Sequence, residues 1–187
     1  MVNKKAIVFV DGNNWYHNVK TVFRKPRVVD VRKVARVVCD KFGLSLIEVR
    51  YYNSIPDIEM GEEMYYKHMV FLAGMKQKGL VVSTAHLKKI KVDGKVIRVE
   101  KGIDVLIASD MVKLCLLDGV CDVCVLISGD ADFLPAMKLI KSHKKEVISV
   151  SISRGYSRDL RAGAFRYLVL KKDDLDKCVG SYDGKKD

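Results

Sequence analysis

No run in the 187 residues approaches the roughly 18 consecutive apolar side chains that a membrane span needs. The first apolar stretch, Ala6 to Val10, is five residues long and stops at Asp11. That is shorter than the roughly 7–15 residues of a secretory signal core, so the expected compartment is the cytoplasm. Cysteine is scarce and odd in number. Cys39, Cys115, Cys121, Cys124 and Cys178 sit inside apolar segments, which suits buried thiols in a reducing compartment better than a disulfide framework. There is no GxGxxG, no Walker phosphate loop, no nucleophile elbow around Ser128, no internal repeat and no low-complexity linker. Acids are also in deficit: 23 Asp plus Glu against 34 Lys plus Arg give a net charge of +11. That imbalance favours a polyanionic partner, either nucleic acid or an anionic membrane surface.

What is present is a globular composition, 49% hydrophobic and 30% charged, in a chain long enough for one full core. A single domain is expected over residues 1–175, with 176–187 as a flexible tail. Strand-like and helix-like segments alternate throughout, the sign of a parallel α/β sheet. Ala6–Val10 is a continuous apolar run of the kind covered on both faces. Strands are expected also at 44–53, 80–85, 122–127 and 146–152, with an edge strand at 167–170. Helices are expected at 30–39, capped by Asp30, and at 62–78, 104–117, 133–143 and 157–162. Lys88 to Val99, with Asp93-Gly94 at its centre, reads as a basic hairpin. Cys121-Asp122-Val123-Cys124 has CxxC spacing, but positions i and i+3 of a strand face opposite sides and no second pair exists. The pair is read as buried small hydrophobes.

The charge is unevenly spread. Residues 102–132 hold six acids (Asp104, Asp110, Asp118, Asp122, Asp130, Asp132) against Lys113 alone, whereas 138–172 hold ten bases against Glu146 and Asp159. In open α/β sheets ligands sit beyond the carboxyl ends of the strands, where the strand order reverses. Asp11 follows the first strand, and Asp130 and Asp132 follow the fourth through Ser128-Gly129. If those strands are neighbours, the three carboxylates share one crevice, and Asp104 heads the helix before the fourth strand. Carboxylates ~6 Å apart at an effective dielectric of about 20 repel by roughly 3 kcal/mol per pair before screening. A hard divalent cation relieves this, and oxygen-only ligands select Mg²⁺ or Mn²⁺ over Zn²⁺. Such a cluster suits in-line phosphodiester hydrolysis. Asp110 is assigned a supporting or structural place.

At these residues the chain resembles the NYN family of PIN-like ribonucleases, particularly its LabA-like branch. The matching motifs are Ile7-Val8-Phe9-Val10-Asp11-Gly12-Asn13-Asn14, Lys101-Gly102-Ile103-Asp104-Val105 with Asp110, and Ser128-Gly129-Asp130-Ala131-Asp132-Phe133. Their order and spacing match over roughly residues 4 to 170. The resemblance implies a three-layer α/β/α sandwich with a parallel sheet of about five strands in order 3-2-1-4-5. It further implies Mg²⁺- or Mn²⁺-dependent, endonucleolytic RNA cleavage, with Asp11, Asp104, Asp130 and Asp132 as catalytic metal ligands. Asn14 would orient a ligand or the substrate phosphate, and Ser128 would support the acids. The family's late motif carries an Asp before a Phe; here the sequence reads Ala162-Gly163-Ala164-Phe165.

The basic segments fit a rim for RNA, single-stranded or structured. Its candidates are Lys88, Lys89, Lys91, Lys95, Arg98 and Lys101, with Arg154, Arg158 and Arg161 after the fifth strand. Trp15, and with it Tyr16 and His17, lies where an unpaired base could stack. A membrane partner is not expected, since a lipid-binding surface has no need of the acidic centre. Monomer and homodimer are both compatible with the reading. Two rivals stand beside it. One is an RNA-binding NYN module with little or no turnover. The other is a haloacid dehalogenase-like phosphatase, which wants a second acid where this chain has Asn13.

Overall fold

β1 (Lys5–Asp11) is buried from Ala6 to Asp11, so both of its faces must be covered. In the computed structural model, which describes residues 3–23, 27–92, 95–99, 101–152 and 157–180, this strand lies inside a six-stranded sheet. Its partners are β2 (Ser45–Ile55), β3 (Val81–His86), β6 (Val123–Ile127), β7 (Glu146–Ile152) and β8 (Arg166–Leu170). The order is β3-β2-β1-β6-β7-β8 and every neighbouring pair is parallel. The expected order of five is therefore present, with the edge strand β8 appended to it as a sixth. β1 and β6 are neighbours, Val10 standing opposite Ile127, as the shared crevice required.

Seven α-helices among the described residues cover the sheet: α1 (Gly12–Val22), α2 (Val31–Phe42), α3 (Glu62–Gln77), α4 (Ile103–Val112), α5 (Leu134–Ser142), α6 (Arg158–Gly163) and α7 (Lys172–Asp176). The strand period of two sorts β1 between two cores. Ala6, Val8 and Val10 pack with Trp15 and Val19 of α1, Val34 and Val38 of α2, Met75 of α3 and Leu175 of α7. Ile7 and Phe9 pack with Ile103 and Ile107 of α4, Met137 and Ile140 of α5 and Leu160 of α6. The result is the expected three-layer sandwich. Asp30 caps α2 by accepting from the N–H groups of Arg32 (2.9 Å) and Lys33 (3.3 Å), and Gly43, at φ 62°, ends it. α4 runs into a single π-helical turn, Lys113–Leu117. Among the described residues, no helix is long and apolar enough to cross a membrane.

β4 (Lys88–Val92) and β5 (Lys95–Val99) form the expected antiparallel hairpin. Its Asp93-Gly94 turn lies outside the described residues, as do the side chains at 88, 90, 92, 95 and 96. Arg154 and residues 181–187 lie outside them too. The tail expected from 176 onward is tied down as far as Gly180. Asp30 N–H donates to Cys178 O (2.7 Å), Gly180 N–H donates to Val28 O (3.0 Å), and Cys178 is buried.

Candidate active site

Asp11 ends β1 and is 5% exposed. Its Oδ1 accepts from Asn14 N–H (3.1 Å), which makes it the N-cap of α1, and its Oδ2 accepts from the Ser128 hydroxyl (2.9 Å). Ser128 Oγ in turn accepts from Asp130 N–H (3.1 Å). Asp130 Oδ1 accepts from Asp132 N–H (2.9 Å), capping the 3₁₀ turn Ala131–Phe133. Asn14 closes the frame: its Oδ1 accepts from Gly129 N–H (3.0 Å) and from Asn18 Nδ2 (2.7 Å). The ends of β1 and β6 are thus laced together by hydrogen bonds.

Gly12 makes this possible. A Cβ there would stand 2.5 Å from the Tyr52 carbonyl oxygen and 2.6 Å from Asn53 Nδ2. Only glycine lets α1 start against the end of β2. α1 is an element that the sequence pattern does not predict: Gly-Asn-Asn are poor helix formers, and the Asp11 cap supplies what propensity lacks.

Electrostatics report that the acids share one field. Burial raises the Asp11 carboxyl above its ordinary value, against the Asn14 and Ser128 hydrogen bonds, and Asp130 raises it further. Asp104, in the first turn of α4, is raised by burial and then by Asp11, Asp130 and Asp132. No Lys or Arg pairs with any of the four among the described residues, although the same structure neutralises acids elsewhere. Asp110 takes the structural place: it accepts from Arg50 Nη1 (2.9 Å) and from the Tyr52 hydroxyl (2.7 Å), fastening α4 to β2.

The donor set is hard oxygen throughout, the chemistry Mg²⁺ and Mn²⁺ accept. Among the described residues, however, the one group of three or more His, Cys, Asp or Glu side chains with ligand atoms mutually within 4.8 Å is Cys115, Cys121 and Cys124. No three of the aspartates come that close. That spacing fits an ion held by one or two carboxylates while it keeps several of its waters, as Mg²⁺ does.

Two parts of the expected RNA rim need correction. Trp15 is 6% exposed and packs in the core beside Val19, one turn on, so its ring cannot stack on a base. The next position around the helix, Tyr16, is 57% exposed, edge-on to His17. Lys89 and Arg98 are each paired with both Asp57 and Glu59. Their charge is already balanced. Lys91, Lys101, Arg158 and Arg161 are exposed with no ion pair among the described residues. Arg158 and Arg161 sit on α6, which packs against the 3₁₀ turn holding Asp132.

A family model for the NYN domain matches residues 5–171. The chain belongs to the NYN domain family. This NYN chain is similar to "Low amplitude and bright protein LabA" of Synechococcus elongatus, 24% identical over 168 residues that cover 89% of this chain and 83% of that protein. Among solved structures it is similar to VPA0982 of Vibrio parahaemolyticus, a protein of unknown function, with a TM-score of 0.66. The identity there is 20%, over 92% of this chain and 96% of the other, a likeness of fold. The family read from the three motifs is borne out.

Proposed function

We propose that this NYN protein is a metal-dependent endoribonuclease, cutting RNA at the aspartates beyond the carboxyl ends of β1 and β6. The observation that carries the reading is the hydrogen-bonded frame that gathers Asp11, Asp130 and Asp132 at the ends of β1 and β6. Burial and neighbouring acids raise Asp11 and Asp104, and no Lys or Arg is paired with any of the four among the described residues. One or two of these carboxylates at a time would hold Mg²⁺ or Mn²⁺, which when bound would supply an activated water and a charge clamp for in-line displacement. Ser128 and Asn14 fix Asp11 in one orientation, so that carboxylate needs no reorganisation when substrate arrives. Arg158 and Arg161, on the helix that packs against the turn holding Asp132, would take flanking phosphates, with Lys91 and Lys101 extending the track. Tyr16 offers a face for an unpaired base.

The test is incubation of purified protein with labelled single-stranded and hairpin RNA, with Mn²⁺ or with EDTA. Internal cuts that need the metal, and that fall at least ~10³-fold with Asp11→Asn, are expected. RNA bound but uncut by wild type would make the protein a binding module instead. RNA neither bound nor cut would overturn the RNA reading altogether.

A further inference from the structure

The second place where ligating side chains converge lies at the other end of β6. Cys115 comes from the π-helical turn that extends α4, Cys121 from the loop entering β6, and Cys124 from β6 itself. All three are buried and free, at 0–1% exposure, and their sulfurs lie within 4.8 Å of one another. The strand alternation that separates i from i+3 does not govern Cys121, which precedes the strand. The π turn matters as well. It carries a backbone bond from Asp118 N–H to Lys113 O (2.9 Å), and π turns are rare in helices and frequently accompany functional sites.

We propose that Cys115, Cys121 and Cys124 form a three-thiolate site for a soft cation of the Cu(I) class. Three sulfurs in a plane around a metal, with bonds of about 2.3 Å, stand about 4.0 Å apart, so the cluster needs to contract by less than about 1 Å. Thiolate donors select soft ions. Zn²⁺ in a closed site takes four protein ligands, and no fourth His, Cys, Asp or Glu joins this group among the described residues. The loop is held in place on the same edge: Lys145 Nζ donates to Cys121 O (3.1 Å) and to Asp122 Oδ1 (3.4 Å), fixing the backbone that carries Cys121. Each thiol that ligates releases its proton to solvent, and no electron is transferred. Entry is through the loop 118–122, in which Val120, like Leu117 just before the loop, is exposed. The site is independent of the aspartate edge and of whether RNA is cut there.

The experiment is titration of the reduced full-length protein with Cu(I) against a competing chelator, with X-ray absorption on the loaded wild type. One equivalent per chain and three sulfur ligands are expected, with affinity falling at least 100-fold in Cys115→Ser, Cys121→Ser and Cys124→Ser. Cys39→Ser and Cys178→Ser should bind as wild type does. Sulfur counts of two or four, binding that survives Cys115→Ser, or Zn²⁺ displacing Cu(I) would each overturn the site. The absorption measurement needs no variant, so a substitution that fails to fold leaves the proposal open to refutation.

Discussion

The two ends of one sheet treat the same residue type in opposite ways. At the amino end, Glu146 opens β7 between Lys4 and Arg166 (2.9 Å to Arg166 Nη2), and Asp122 precedes β6 between the Lys5 backbone N–H (3.0 Å) and Lys145. Burial raises Glu146, yet those two cations hold it below its ordinary value; the Lys5 N–H and then Lys145 lower Asp122. At the carboxyl end, Asp11 and Asp104 are raised, by burial and then by one another's neighbours. An acid that the fold uses for stability is given its cation by the chain. The acids at the carboxyl end are given no cation among the described residues, which is the ground of the metal site proposed above.

The comparison breaks most completely at Gly12. Gly12→Ala drives a Cβ into the Tyr52 carbonyl, a backbone atom that cannot swing away. A loss of about 3 kcal/mol, or about 6–12 °C in Tm, is expected in thermal unfolding. Glu146→Gln acts at the amino end and should cost about 1–2 kcal/mol at neutral pH. Because its folded value is depressed, the contribution is present above the unfolded carboxylate value and disappears as pH falls through the folded one. The wild-type and Glu146→Gln stability curves should therefore converge in acid. A smaller effect is expected on the rim: Arg158→Ala with Arg161→Ala lowers RNA affinity and flattens the salt slope by about 2, leaving metal affinity unchanged. Asp104→Asn is the smallest and has the opposite sign. A raised folded value means the charged form is disfavoured by folding, so removing the charge stabilises the metal-free protein at neutral pH. That gain is under about 1 kcal/mol, up to about 3 °C in Tm, and shrinks as acid protonates wild-type Asp104.

The sheet was legible from the sequence because a strand buried on both faces has few disguises: Ile7-Val8-Phe9-Val10 and Val123–Ile127 could hardly be anything else. The aspartates were legible for a related reason, since topology places the ends of β1 and β6 side by side. What escaped depends on which way a side chain turns. Trp15 and Tyr16 are adjacent in sequence, and only the phase of α1 sends one inward and the other to solvent. Lys89 and Arg98 looked like free cations because Asp57 and Glu59, 30–41 residues away, approach them only in the folded chain. The cysteine triad is hidden in the sequence because Cys121 lies two residues before β6, where strand alternation does not hold, and Cys115 comes from a π turn.

Mn²⁺ titration of the metal-free protein, followed by the loss of the free-ion electron paramagnetic resonance signal, examines the acidic edge directly. Wild type should bind the ion specifically, Asp11→Asn should lose at least about tenfold in affinity, and Glu146→Gln at the other end should bind as wild type does. Equal affinity in wild type and Asp11→Asn would contradict the account.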